Sequence, residues 1–133
     1  MSERKIRESL DNLERALARL GEAVQVDESN ALVVDGTIQR FEFALELLWK
    51  TLKRILAFEG VNGASSPRSI MKEAYAQGWL EDESVWLSML EDRNKTSHTY
   101  DEESARKIYM NIKVYYPVMC KLHTALKAKL DVM

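Results

Sequence analysis

The sequence predicts an all-α fold, an up-and-down bundle of four or five helices forming one domain over residues 1–133. Three observations lead there. Apolar residues recur at alternating spacings of three and four along every long segment, the signature of an amphipathic helix. No segment alternates apolar and polar residues as a half-buried strand does. Residues suited to capping helices fall at the breaks between the stripes.

The first stripe is Ile6, Leu10, Leu13, Leu17, Leu20 and Val24, with Arg and Glu between, and predicts a helix over about 2–24. Asp27, Glu28, Ser29 and Asn30 then form a polar break rich in N-cap candidates. The second helix, within 29–58, is the longest, with its main stripe on Ile38, Phe41, Leu45, Leu48, Leu52 and Ile55. Phe43, Ala44 and Leu47 widen that face, which predicts a central helix touching several neighbours. Gly36 costs about 1 kcal/mol there relative to Ala. Either a close helix approach or a start only at Gly36 would account for it, and the earlier start is preferred.

Gly60 to Pro67 is the clearest loop, and Ser66-Pro67 reads as an N-cap followed by the first helical residue. A short helix through Ile70, Met71, Ala74 and Tyr75 stops at Gly78. The acidic run Glu81-Asp82-Glu83 suits the start of a fourth helix, buried through Val85, Trp86, Met89 and Leu90. Thr99 and Glu102 match a capping box for the last helix, with Asp101 as rival N-cap. That helix carries Ala105, Ile108, Ile112, Tyr115, Met119, Leu122 and Leu126, and Pro117 inside it predicts a kink.

Composition narrows the class. The chain has 133 residues, 46% hydrophobic and 30% charged, at a formal net charge of -2. That size buries roughly two-thirds of the unfolded surface without staples. The near-cancelled charge argues against a general polyanion binder, though not against a local basic groove. Cys120 is the lone cysteine, so neither a disulfide nor a cysteine-based zinc site is expected. No apolar run reaches the ~20 residues that span a bilayer, and the charged N-terminus is unlike a signal core. A cytoplasmic protein without membrane contact, metal or cofactor is the expectation.

The stretch from Glu91 to Asp101 departs from packing logic by gathering Asp92, Arg93, Asn94, His98 and Tyr100 where a helix ends. Arginine holds phosphate oxygens with a planar fork, and histidine moves a proton to or from a hydroxyl near neutral pH. Together they suffice for metal-independent RNA cleavage through attack by the 2′-hydroxyl. Five helical residues rotate about 500°, leaving Arg93 and His98 roughly 140° apart on an unbroken helix. Cooperation therefore needs the helix to end before His98, or a second subunit. An ordinary charged helix-to-helix turn is the competing reading, because an Arg-x4-His spacing alone is a weak pattern.

The run Arg93-Asn94-Lys95-Thr96-Ser97-His98-Thr99-Tyr100 resembles the Arg-x4-6-His signature of the HEPN superfamily, in its Arg-x4-His-x-Tyr form. The segment from Ile38 to Lys53 resembles the matching helix of the nucleotidyltransferase substrate-binding protein family, which includes HepT-type toxins. The similarity runs roughly from the first helix to the last. It implies a HEPN-like bundle that forms a homodimer and pairs with a separate minimal nucleotidyltransferase. It further implies a toxin-antitoxin pair in which Arg93 and His98 are the ribonuclease residues and Asn94 assists. Tyr100 would be the position modified with AMP by the partner. Asp92 is expected to orient Arg93 or a nearby donor. A non-catalytic subunit that binds a nucleotide or substrate for the nucleotidyltransferase is the alternative.

Other polar groups are expected to be structural. Glu42, Glu46 and Lys50 read as an intrahelical charge ladder in preference to a face turned toward the motif. Lys50, Lys53 and Arg54 read as a solvated face in preference to an RNA groove, and His123 as surface. Trp49, Trp79, Trp86, Tyr115 and Tyr116 read as core or dimer contacts in preference to base platforms. Arg93, Lys95, Arg106 and Lys107 are candidates for a basic seam between protomers.

Overall fold

Ser2 starts the first helix by accepting a hydrogen bond from the Lys5 N–H, and the helix, α1, runs Glu3–Gln25. This computed structural model describes residues 2–27, 30–98 and 101–132, with positions 97 and 98 as helical backbone only. The remaining helices are α2 (Ala31–Phe58), α3 (Pro67–Ala76), α4 (Glu83–His98) and α5 (Glu102–Asp131). Among the described residues every regular element is a helix, four long and one short.

The stripes became the core. Ile6, Leu13 and Leu20 of α1, Phe41, Leu48 and Leu52 of α2, and Tyr109, Ile112 and Met119 of α5 are all fully buried. Helix α2 packs against α1, α3 and α5, which gives it the central place expected from its wide apolar face. Helix α4 sits between α3 and α5. Its Trp86 and Met89 are buried, so one face of α4 is pinned to the core while the other carries polar residues.

Capping chemistry sets most boundaries. Asn30 caps α2 by accepting from the N–H groups of Leu32 and Val33, which fixes the earlier start. Ser66 and Ser69 form a reciprocal capping box at α3 with Pro67 in the first turn, and Gly78 follows the helix at φ +83°. Asp101, not Thr99, caps α5 by accepting from the Ser104 N–H at 2.8 Å; Thr99 itself lies outside the described residues. An aspartate directly before the first turn also faces the positive end of the helix dipole, an advantage the threonine lacks.

Several expectations are corrected. A Cβ on Gly36 would meet nothing within 4 Å, so no close helix approach explains that glycine. The tight crossing is at Gly21, where an added Cβ would collide with the Tyr116 hydroxyl. Phe43 and Tyr75 are exposed and stay out of the core. His123 is not a surface residue: it is buried, with Nε2 3.0 Å from the Leu10 carbonyl of α1. It lies four residues after Met119, on the buried stripe, and the carbonyl gives its polar nitrogen a partner.

Candidate functional site

Residues 91–98 form the last two turns of α4, where successive residues turn by about 100° and so face different neighbours. Asp92 faces α5 and is only 6% exposed. It accepts hydrogen bonds from the Tyr115 hydroxyl at 2.7 Å and the Asn111 amide at 3.0 Å. Lys95 Nζ stands 4.0 Å away on its own helix. Tyr115 is stacked on Phe41 of α2, ring centroids 5.8 Å apart, so the carboxylate is tied to the core through a fixed ring. Burial, then the Asp92 hydrogen bond and charge, push the Tyr115 hydroxyl well above its ordinary pKa. The hydrogen-bond donors to Asp92 are thus both on α5.

Arg93 lies on another face. Its Nη1 is 3.0 Å from Glu42 Oε2 of α2, with both side chains partly exposed. Glu42 Oε2 also accepts from the Thr96 hydroxyl at 2.9 Å. The charge-ladder expectation is therefore only half right. Glu46 and Lys50 do pair along α2 at 3.0 Å, whereas Glu42 turns across the bundle to the motif. Burial pulls the Glu46 carboxyl upward, but hydrogen bonds from Lys50 and Trp49 and the charges of Lys50 and Arg93 hold it below its usual range.

Beside this pair is an open cleft of about 400 Å³, bounded by α2, the start of α3 and the second half of α4. Glu42, Glu46, Trp49, Arg68, Arg93 and Asn94 line it. Asn94 is exposed there, one residue beyond Arg93. Neither Lys50, Lys53 nor Arg54 lines this cleft, and Arg54 instead donates to the Ser9 hydroxyl of α1 at 2.8 Å. Trp86 and Tyr115 are buried, while Trp49, Trp79 and Tyr116 pack partly buried on the core edge.

The helix reaches His98, so positions 93 and 98 share one continuous backbone. They stand roughly 140° apart around the helix axis. The condition that the helix end before His98 is not met. The Tyr100 expectation lies outside the described residues. Among the described residues, no group of three or more His, Cys, Asp or Glu could hold a metal ion. No helix among them is long and apolar enough to cross a membrane.

Arg68 is the charged lining residue that the sequence does not single out, and Glu42 takes the reading ranked second for it. Helical spacing shows which residues share a face, but not what another helix sets opposite them.

The chain matches a family model described as nucleotidyltransferase substrate binding protein like, over residues 8–128. A Haemophilus influenzae protein named "Probable ribonuclease HepT" is 36% identical over 109 residues, covering 76% of this chain and 75% of that protein. A crystal structure of a Thermus thermophilus protein superposes with a TM-score of 0.79 at 36% identity, covering 86% of this chain and 98% of the other. A second structure, from Haemophilus influenzae and described as revealing the fold of a substrate binding domain of a nucleotidyltransferase, has a TM-score of 0.68 at 29% identity. It covers 95% of this chain and 99% of that one.

Proposed function

This chain belongs to the nucleotidyltransferase substrate binding protein-like family, and on that footing we propose that it is a metal-independent endoribonuclease of HepT type. It would act as the toxin of a toxin-antitoxin pair with a minimal nucleotidyltransferase. Arg93 holds the scissile phosphate, and His98 moves the proton as the 2′-hydroxyl attacks phosphorus and the P–O5′ bond breaks, leaving a 2′,3′-cyclic phosphate and a 5′-hydroxyl. The observation that carries the reading is the state of Arg93: an always-charged fork at the mouth of a cleft, restrained by a partly exposed carboxylate. An ion pair of that exposure contributes about 1 kcal/mol or less. A phosphate can therefore take the guanidinium from Glu42 at small cost.

Continuity of α4 through His98 favours a site completed between protomers of a homodimer. Met110 and Val114, one turn apart on α5, are exposed apolar side chains suited to such a seam. They flank Asn111, which holds Asp92. The basic residues proposed for the seam are already tempered: Arg106 pairs with Glu102 and Lys107 with Glu103. Apolar contact, more than charge, then drives the pairing.

Transfer of AMP to Tyr100 would set bulk and negative charge two residues from His98, where an RNA phosphate otherwise sits. The Tyr100→Phe variant should cleave RNA and escape silencing by the nucleotidyltransferase; full silencing of that variant would remove Tyr100 as the switch. The test of the nuclease itself is a gel assay of the purified protein on RNA. Wild type should cleave with chelator present and His98→Ala should not. Absence of cleavage by wild type at every concentration would leave the second reading, a binding subunit of the nucleotidyltransferase, which the described fold of the Haemophilus influenzae structure favours.

A further inference from the structure

We propose that the cleft between α2, the start of α3 and the second half of α4 is the subsite for the nucleotide flanking the scissile phosphate, with the Trp49 ring as base platform and Arg68 as ligand of the adjoining phosphate. The proposal rests on the ribonuclease reading above and adds to it a place for the rest of the substrate.

The size is right for a small ligand. A volume of about 400 Å³ lies within the roughly 300–1,000 Å³ of such sites. The cleft is open, as a groove must be when a polymer passes through it. Arg93 and Asn94 form one side, so whatever fills the cleft adjoins the reacting phosphate.

Two groups in the cleft offer contacts to a ligand, with Lys50 Nζ already standing 6.0 Å from the Trp49 ring centroid. Arg68 is exposed and makes no ion pair among the described residues, unlike Arg93 and Lys50. It stands on a rigid support, because the Ser66–Ser69 capping box and Pro67 fix the first turn of α3. The start of that helix also favours a nearby anion. Trp49 is half-buried at the core edge, and its Nε1 donates to Glu46 at 3.0 Å, which fixes the ring orientation. A held indole at a cleft wall suits stacking, since every base has a π-face. This assigns Trp49 a role beyond the core contact expected from its sequence position.

Charge argues for a nucleotide held by contact, not by bulk attraction. Arg68 and Arg93 share the cleft lining with Glu42, Glu46 and Glu91. Glu42 is engaged with Arg93 and Glu46 with Lys50, while Glu91 is exposed at the cleft. With the charges nearly balanced, stacking and one cation–phosphate contact carry the affinity.

The test is fluorescence anisotropy of a short, labelled, 2′-O-methylated oligoribonucleotide, which cannot undergo 2′-hydroxyl attack, on the full chain. Arg68→Ala should weaken binding about tenfold and flatten the dependence of log K on log salt by about 0.7. Arg68→Lys should restore the salt slope. Trp49→Phe should bind within a few-fold of wild type, and Trp49→Ala should lose about tenfold or more. Unchanged affinity and slope in Arg68→Ala would overturn the subsite, even if wild type cleaves unmodified RNA. Arg68-dependent binding without any cleavage by wild type would support the cleft and remove the nuclease. Loss of nucleotidyltransferase association in Arg68→Ala, with RNA affinity intact, would overturn the proposal and give the cleft to the protein partner.

Discussion

Asp92 and Arg93 are adjacent on one helix, yet their surroundings differ as core differs from surface. Asp92 is buried, and two neutral donors from α5 hold it. Arg93 faces an open cleft and is restrained by a carboxylate that is itself partly exposed. The first is costly to disturb and cheap to leave alone; the second is cheap to redirect. A helix that rotates 100° per residue can place an anchor and a reactive group side by side without either compromising the other. The anchor ties the second half of α4 to α5.

Substitutions at the two positions should therefore separate activity from stability. Arg93→Ala is expected to reduce RNA cleavage on the order of 10²–10³-fold, as removal of a transition-state charge partner does. Its melting stability should fall by no more than about 1 kcal/mol. Cleavage rates beside thermal melts check this, and a large stability loss with modest rate loss would reverse the assignment.

Asp92→Ala should do the opposite. It leaves the Tyr115 hydroxyl and Asn111 amide without their acceptor and should cost about 2–4 kcal/mol in denaturant titration. A stability change below about 1 kcal/mol would mean that the anchor is not one.

The smallest effect sharpens the buried side alone. Tyr115→Phe should cost about 1–2 kcal/mol near neutral pH. Tyr115 is held protonated in the fold by burial first and then by Asp92. A group with a raised folded pKa contributes stability that is whole below its unfolded pKa, about 10, and lost as pH rises beyond it. Wild type should lose stability above about pH 10 more steeply than Tyr115→Phe. Parallel curves would show that the hydroxyl is not held as described.

Helix number, order and buried faces were legible because burying one side of a helix demands a periodic pattern, and each α5 stripe residue named is buried. His123 carries the same signal although its lysine-rich surroundings point to the surface; its spacing from Met119 places it inside. Boundaries were less legible, since Thr99 and Asp101 are both competent caps and only the backbone path selects Asp101. Gly21 had no local signature, because its role depends on Tyr116 from the far end of the chain. The same limit hid Arg68 at the cleft and left the reach of Glu42 toward the motif undecided. Arg93 and Asn94, by contrast, were legible as residue types unneeded for packing, and both line the cleft.

In the proposed scheme a guanidinium and an imidazole from different protomers meet at one phosphodiester. Subunit mixing tests this most directly: Arg93→Ala and His98→Ala proteins, each inactive alone, are co-refolded or co-expressed and assayed on RNA. A site shared between protomers predicts recovered cleavage, because each mixed dimer rebuilds one site with both groups intact. Silence of the mixture, with mixed dimers verified and wild type active under the same conditions, would contradict it.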